Sequence, residues 1–300
     1  MNIIKRKNLY FAISLLVIVP GLISLMLWGL RLSIDFTGGS RETFVLPHNV
    51  SQSDIANIKS VFSDDHIQVV TVQSAGNKLI VRTQNLDQKG HAKIIVDLRR
   101  RLPQVHEEAF ETVGPTIGSE TTTNALKGIG IASLLIVLYI AWSFRSVPRP
   151  ASSWRFGICA IVALLHDVLV VVGIFSILGH FFNVEIDSLF VTALLTVIGF
   201  SVHDTIVVFD RIRENLKRSR LEFKSIVNES ILQTLTRSLN TSLTVILVLI
   251  ALLIFGGEST RWFVVALLVG ILSGTYSSIF NASPLLVLWD EWSRRRRLSS

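Results

Sequence analysis

Apolar residues come in blocks of about 20, separated by short charged stretches and one long polar segment. The first block, Leu9 to Leu30, follows Lys5, Arg6 and Lys7; the others run Ile129 to Phe144, Phe156 to Leu178, Ser188 to Phe209, Leu239 to Phe255 and Trp262 to Trp289. At about 1.5 Å of rise per residue such blocks cross a hydrocarbon core of roughly 30 Å, so the pattern predicts six transmembrane helices. Leu9 to Leu30 also has the position of a signal peptide. It is longer than a signal core, and Arg31-Leu32-Ser33-Ile34-Asp35 behind it carries no small-x-small cleavage pattern, so an uncleaved anchor is expected.

Residues 31–126 hold no such run and carry 10 Lys/Arg against 11 Asp/Glu, the profile of a water-exposed domain. Their periodicity predicts strands at Glu42 to Leu46, Ile67 to Gln73, Lys78 to Thr83 and Glu107 to Val113, with helices at Ser51 to Phe62 and Ala92 to Leu102. The order β-α-β-β-α-β predicts a small ferredoxin-like α+β module. Further on, Ile212, Leu216, Phe223, Val227, Ile231 and Leu235 recur at spacings of four or seven. That spacing predicts an amphipathic helix over 211–236 at the membrane surface, either a connector or a partner contact. The expected organisation is 1–30, amino terminus and first span; 31–126, α+β domain; 127–293, a five-helix bundle including that helix; and 294–300, a basic tail.

Composition agrees: 50% hydrophobic, 17% charged and a mean hydropathy of +0.53 exclude an ordinary soluble domain. A net charge of +7 suggests nucleic acid in a soluble chain, but here the basic residues sit at block edges. With the amino terminus inside, 17 Lys/Arg fall on cytoplasmic segments, among them Arg145, Arg149, Arg155 and Arg294 to Arg297, whereas the short external connections hold only Arg261. The positive-inside rule therefore puts both termini in the cytoplasm and residues 31–126 outside, and no nucleic-acid partner is expected. Cys159, the single cysteine, can form no intrachain disulfide or thiolate cage, and without a metal or phosphate motif no cofactor is expected.

Ionisable residues inside spans cost roughly 2.5 to 3.5 kcal/mol each on insertion scales, so each needs a reason. Asp167, beside His166, lies about 16 Å deep, near the midplane. Asp204, beside His203 and near Ser201, lies about 9 Å from the cytoplasmic edge, and Arg237, two residues before the Leu239 block, either snorkels or points inward at a matching depth. An aspartate facing an arginine at low dielectric takes and releases a proton on small movements, which suits a proton pathway; the alternative for Asp204 is a structural ion pair or a cap on freed backbone groups. For Asp167 the alternative is a hydrogen bond to Ser or Thr of a neighbouring span. His203 reads equally as a relay and as a satisfied core histidine. Gly270 and Gly274, with Ser273, Ser277 and Ser278, form a small-residue stripe expected to serve packing, with Asn281 as a polar contact, and the six tryptophans read as interfacial anchors. Adjacent residues such as His203 and Asp204 point about 100° apart on a helix and make no nucleophile-base pair, so an enzyme is not expected.

Several segments are more specific. Asp35-Phe36-Thr37-Gly38-Gly39 follows the first span, Val113-Gly114-Pro115-Thr116-Ile117-Gly118 precedes the second, and Leu165-His166-Asp167 lies in the third. The fourth closes on Val202 to Asn215, with Asp210, Arg211, Arg213, Glu214 and Asn215 at its end, and Arg237 to Thr244 and Thr275 to Phe280 lie in the last two. Together these resemble the SecD/SecF family of bacterial protein-export membrane proteins, on its SecF side. Ser33 stands where members often carry Gly, and His203 where Asn is also common. The resemblance implies a six-span subunit that pairs with a SecD relative in a twelve-span unit similar to the resistance-nodulation-division transporters. It further implies a place in the bacterial plasma (inner) membrane with the SecYEG channel and YajC, and use of the proton motive force to draw unfolded secretory proteins outward after the SecA step. Family carboxylate and arginine positions matching Asp204 and Arg237 are implied in the proton path. The other reading of the same features is half of a proton-coupled exporter of lipids or small hydrophobic compounds, disfavoured because residues 31–126 show no obvious aromatic pocket.

Overall fold

The computed structural model describes residues 2–145, 147–148 and 152–298; Arg149 and the last two residues of the expected tail lie outside them. In chain order the elements begin with α1 (Lys7–Trp28), a one-turn α2 (Ile34–Thr37), β1 (Gly39–Val45), α3 (Gln52–Asp64), β2 (Val69–Ala75), β3 (Lys78–Thr83), α4 (Gln88–Arg101) and β4 (His106–Val113). Then follow α5 (Pro115–Ser143), α6 (Ser153–Phe182), α7 (Ser188–Arg218), α8 (Phe223–Phe255), α9 (Arg261–Ser277), a π-helical turn over Ser278–Ala282, and α10 (Ser283–Leu298). Among the described residues six helical segments are long and apolar enough to cross a membrane, α9 to α10 counting as one. This is a multi-pass membrane protein with a small α+β domain.

Two compact units result. One comprises Leu32–Leu126 with Glu185–Ser188, the other the remaining, mostly apolar helices. In the first, the four strands form one antiparallel sheet in the order β2-β3-β1-β4, the ferredoxin-like arrangement. Alternation sends Phe44, Leu79 and Val81 to the helix side, where Ile58, Val61, Phe62, Ile94 and Leu98 complete the core. Helix starts follow local chemistry. Ser51 and Asp54 form a reciprocal capping box on α3, and Asp87 Oδ1 accepts the Gly90 N–H to open α4. Gly38 and Gly39 both adopt positive φ, +71° and +116°, and a Cβ on Gly38 would come within 2.9 Å of Pro115 Cα. Asp35 to Gly39 and Gly114 to Gly118 are thus two halves of one tight junction that only glycine fits.

In the helical unit, α6, α7 and α9 form the buried centre, whereas α1, α5 and α8 expose most of their apolar residues. Small residues allow close crossings: a Cβ on Gly21 of α1 would lie 2.9 Å from Gly173 Cα of α6, and Ser24 and Ser176 hydrogen-bond beside them at 2.8 Å. Two expectations need correction. Residues 211–236 are not one surface helix, because α7 continues to Arg218, breaks at 219–222, and the chain re-enters directly as α8. Ile212, Phe223, Val227 and Ile231 are buried, so the apolar spacing belongs to two helix ends folded against each other. Asn215 Nδ2 donates to Ser230 Oγ at 2.8 Å and Arg211 Nε to Gln233 Oε1 at 2.6 Å, joining the two legs. The second span also starts 14 residues earlier than expected, at Pro115, whose ring is tolerated where a helix begins.

Candidate functional site

Between α6, α7, α8 and α9 the structure buries two carboxylates. Asp167 on α6 is fully buried. Ser201 of α7 donates to its Oδ2 at 2.5 Å, Ser277 of α9 to the same oxygen at 2.6 Å, and Ser273 to Oδ1 at 2.7 Å. His166 Nδ1 lies 2.9 Å from Oδ1. Its Nε2 is buried without a hydrogen-bond partner, and its ring faces Tyr276 with centroids 6.5 Å apart. Gly274 makes room for this cluster: a Cβ there would sit 3.1 Å from Ser201 Cβ and 3.6 Å from Asp167 Oδ2.

Asp204 lies one turn along α7 from Ser201 and is 6% exposed. Ser238 of α8 donates to Oδ1 at 2.6 Å, and Ser278, the first residue of the π-helical turn, donates to Oδ2 at 2.7 Å. Neighbouring serines, Ser277 and Ser278, therefore serve different aspartates. A carboxylate offers about four lone-pair sites. Asp167 has a partner at each of them, whereas Asp204 has one serine per oxygen and capacity left on both. A serine hydroxyl that donates to a carboxylate can turn and accept from a carboxylic acid, so the Asp204 site accommodates either protonation state with one hydroxyl rotation.

Arg237 is not the partner of Asp204. The neighbouring Ser238 points at the carboxylate, which turns Arg237 about 100° away, and among the described residues no carboxylate lies within ion-pair distance of it. It lines an open groove of about 350 Å³ with Val207, Asp210, Arg211, Glu214, Gln233 and Thr234. His203 is exposed in this chain, its side chain about 100° around α7 from that of Asp204. The motif closing α7 makes local pairs: Arg213 with Asp210 at 2.5 Å and Arg211 with Glu214 at 2.6 Å. Asp35, Phe36, Thr37, Gly38, Gly39, Gly114 and Pro115 all belong to the α+β unit, whereas the two aspartates belong to the helical unit. Ser201, Ser238, Ser273, Ser277 and Ser278 are the residues that reading by charge alone undervalues. For Asp167 the structure shows the expected alternative, hydrogen bonds to serines of neighbouring spans, and the four-residue step from Ser273 to Ser277, which reads as packing, puts two of them on one face.

Comparison with known proteins gives consistent results. The family described as "Protein export membrane protein SecD/SecF, C-terminal" matches residues 94–292. A protein of Thermobaculum terrenum named "Protein translocase subunit SecF" is 50% identical over 97% of this chain and 94% of its own length. The Bacillus subtilis "Protein translocase subunit SecDF" is 35% identical over 95% of this chain, which spans only 37% of that longer protein. The crystal structure of SecDF from Thermus thermophilus, described as a translocon-associated membrane protein, superposes with a TM-score of 0.83 at 34% identity, covering 97% of this chain and 39% of that one.

Proposed function

The chain belongs to the SecD/SecF family of protein-export membrane proteins, and from that premise we propose how it works as an accessory subunit of the Sec protein translocase. Its role is transport. It spans about two-fifths of the SecDF proteins and matches a SecF over 94% of that protein's length, which supports pairing with a SecD half of six further spans. The 17-to-1 asymmetry of basic residues places both termini in the cytoplasm and the α+β domain outside the bacterial plasma membrane, beside SecYEG and YajC. There the pair uses the proton motive force to draw secretory chains outward after SecA has acted. The half-exporter reading draws no support from relatives named as translocase subunits.

The observation that carries the proton assignment is the two-serine cradle of Asp204, a buried carboxylate with spare hydrogen-bonding capacity where three spans meet. Asp204 is the carrier. Arg237, in the groove one helical position away, holds positive charge at the cytoplasmic approach, and Asp167 with His166 is the fixed polar centre on which α6, α7 and α9 close. Asp204→Asn keeps size and hydrogen bonding but removes the exchangeable carboxyl proton. In inverted vesicles with SecA and ATP held constant, it is expected to abolish stimulation of passenger release by a proton gradient while leaving insertion and SecD association intact. Full stimulation in that variant would make Asp204 a structural residue.

A further inference from the structure

Glu185–Ser188, the link from α6 to α7, folds as part of the α+β unit. Leu32 and Ile186 form a parallel bridge, and Ser33 N–H donates to Ile186 O at 2.9 Å. Arg82 of β3, 9% exposed, reaches the same place: its Nη1 donates to Leu32 O at 2.8 Å and lies 3.3 Å from Glu185 Oε1, while Nη2 donates to Thr37 Oγ1. Asp35 Oδ2 then accepts the N–H of Ser188 at 3.0 Å. Ser188 is the first residue of α7, so a carboxylate 153 positions earlier in the chain caps the positive end of this helix.

All of these contacts lie within one compact unit, yet α7 runs unbroken from Ser188 to Arg218 and carries Asp204 about 24 Å along it. A helix transmits displacement along its axis, whereas a loose loop absorbs it. We propose that Asp35, Arg82 and Glu185 are positioning residues for energy coupling: they fix the chain up to Ser188, the first residue of α7, within the α+β domain, so that a shift of α7 set at Asp204 is delivered to that domain along the continuous helix. The coupling rests on Asp204 being the proton carrier; the anchoring does not. Asp35, the carboxylate of the Asp-Phe-Thr-Gly-Gly motif, gains a task as a helix cap, and Arg82 a task as a clamp.

The test uses the full chain with its SecD partner in inverted vesicles and reads gradient-driven passenger release and proton flux separately. Asp35→Leu removes the acceptor, and Asp35→Asn keeps an oxygen in its place. Arg82→Met with Glu185→Gln removes both charges together, so that neither is left buried alone. The expected result is wild-type insertion and wild-type Asp204-dependent proton flux, with gradient stimulation of release lowered about fivefold to tenfold in Asp35→Leu, the size expected for a lost helix cap, and restored in Asp35→Asn. The double variant behaves like Asp35→Leu. Stimulation unchanged in both variants overturns the proposal, and so does a parallel loss of flux and release, which would make the cluster a fold determinant only. Equal flux in wild type and Asp204→Asn refutes the carrier instead. Amide exchange at 186–190 then judges the anchoring: faster exchange in Asp35→Leu upholds it, and an unchanged rate refutes it.

Discussion

Glu42 is an unusual residue to find in the middle of a sheet. It sits on β1 between Val81 of β3 and Phe110 of β4, fully buried, and neither carboxylate oxygen has a hydrogen-bond partner. Burial, with the nearby Glu107 charge adding to it, pushes its pKa up to about 8. The folded-state pKa exceeds the unfolded value of 4.5, so between the two the native state holds a proton that the unfolded chain has released. Stability is therefore greatest at low pH and falls as pH rises, by up to about 1.4 kcal/mol per unit between about pH 5 and 8, and levels off above. Thermal unfolding of residues 39–113, a fragment that contains the whole hydrophobic core of the sheet, should show this slope. Glu42→Leu should remove it, and subtracting the two profiles cancels the histidines that titrate in the same range. Identical slopes would mean Glu42 is solvated or paired in solution. Asp167 and Asp204 were visible in the sequence because charge inside an apolar block is costly. Serine partners for Asp167 were foreseen as one alternative, and Ser201, Ser273 and Ser277 supply them, but which serines they would be was not legible, since a serine in a span looks the same whether it packs a helix or holds a carboxylate. For Arg237 the sequence left snorkelling and an inward direction both open, because residue counting measures depth in the bilayer but says nothing of the direction around the helix axis.

At the level of elements, the crossing of α1 and α6 depends on two glycines whose backbones touch. Gly173→Val inserts side-chain carbons where Gly21 Cα already lies, an overpacking cost of about 1 to 3 kcal/mol. Cysteines in place of Ser24 and Ser176, whose hydroxyls are 2.8 Å apart, should form a disulfide in the otherwise native protein and fail to form it with Gly173→Val. Retained cross-linking would show that the helices slide to a new register at little cost. The strands and helices of the α+β domain were legible because a period of two and a period of 3.6 are easily told apart. The helix expected over 211–236 failed for the complementary reason. Spacings of four and seven survive a break when both legs turn their apolar rows to the same core, so periodicity alone could not reveal the turn at 219–222.

At the scale of the whole molecule, the proposed orientation is tested with single cysteines. Introduced at Ser74 on β2 and at Ser259 between α8 and α9, they should react with an impermeant reagent from outside intact cells, and one at Ser219 between α7 and α8 should not. Equal reactivity at all three would refute the topology. Six spans and one α+β domain were legible from block length and periodicity, and the motif residues pointed to the family. The membership of Glu185–Ser188 in the α+β domain was not legible, because nothing local in those four residues signals a partner more than a hundred positions away.

Those long separations set an order of events during synthesis. Translation adds about 5 to 20 residues per second, so the whole β1-to-β4 sheet emerges within seconds of α1 and can fold at once. Gly21, however, waits 152 residues for Gly173, and Arg82 waits 103 for Glu185, delays of roughly 5 to 30 seconds. Throughout that interval α1 has only lipid or cellular helpers against the face it later gives to α6, and the Arg82 clamp stands open. Its closure by Glu185 can only follow synthesis of the third span, which makes that ion pair one of the last contacts of the α+β domain to form on the growing chain.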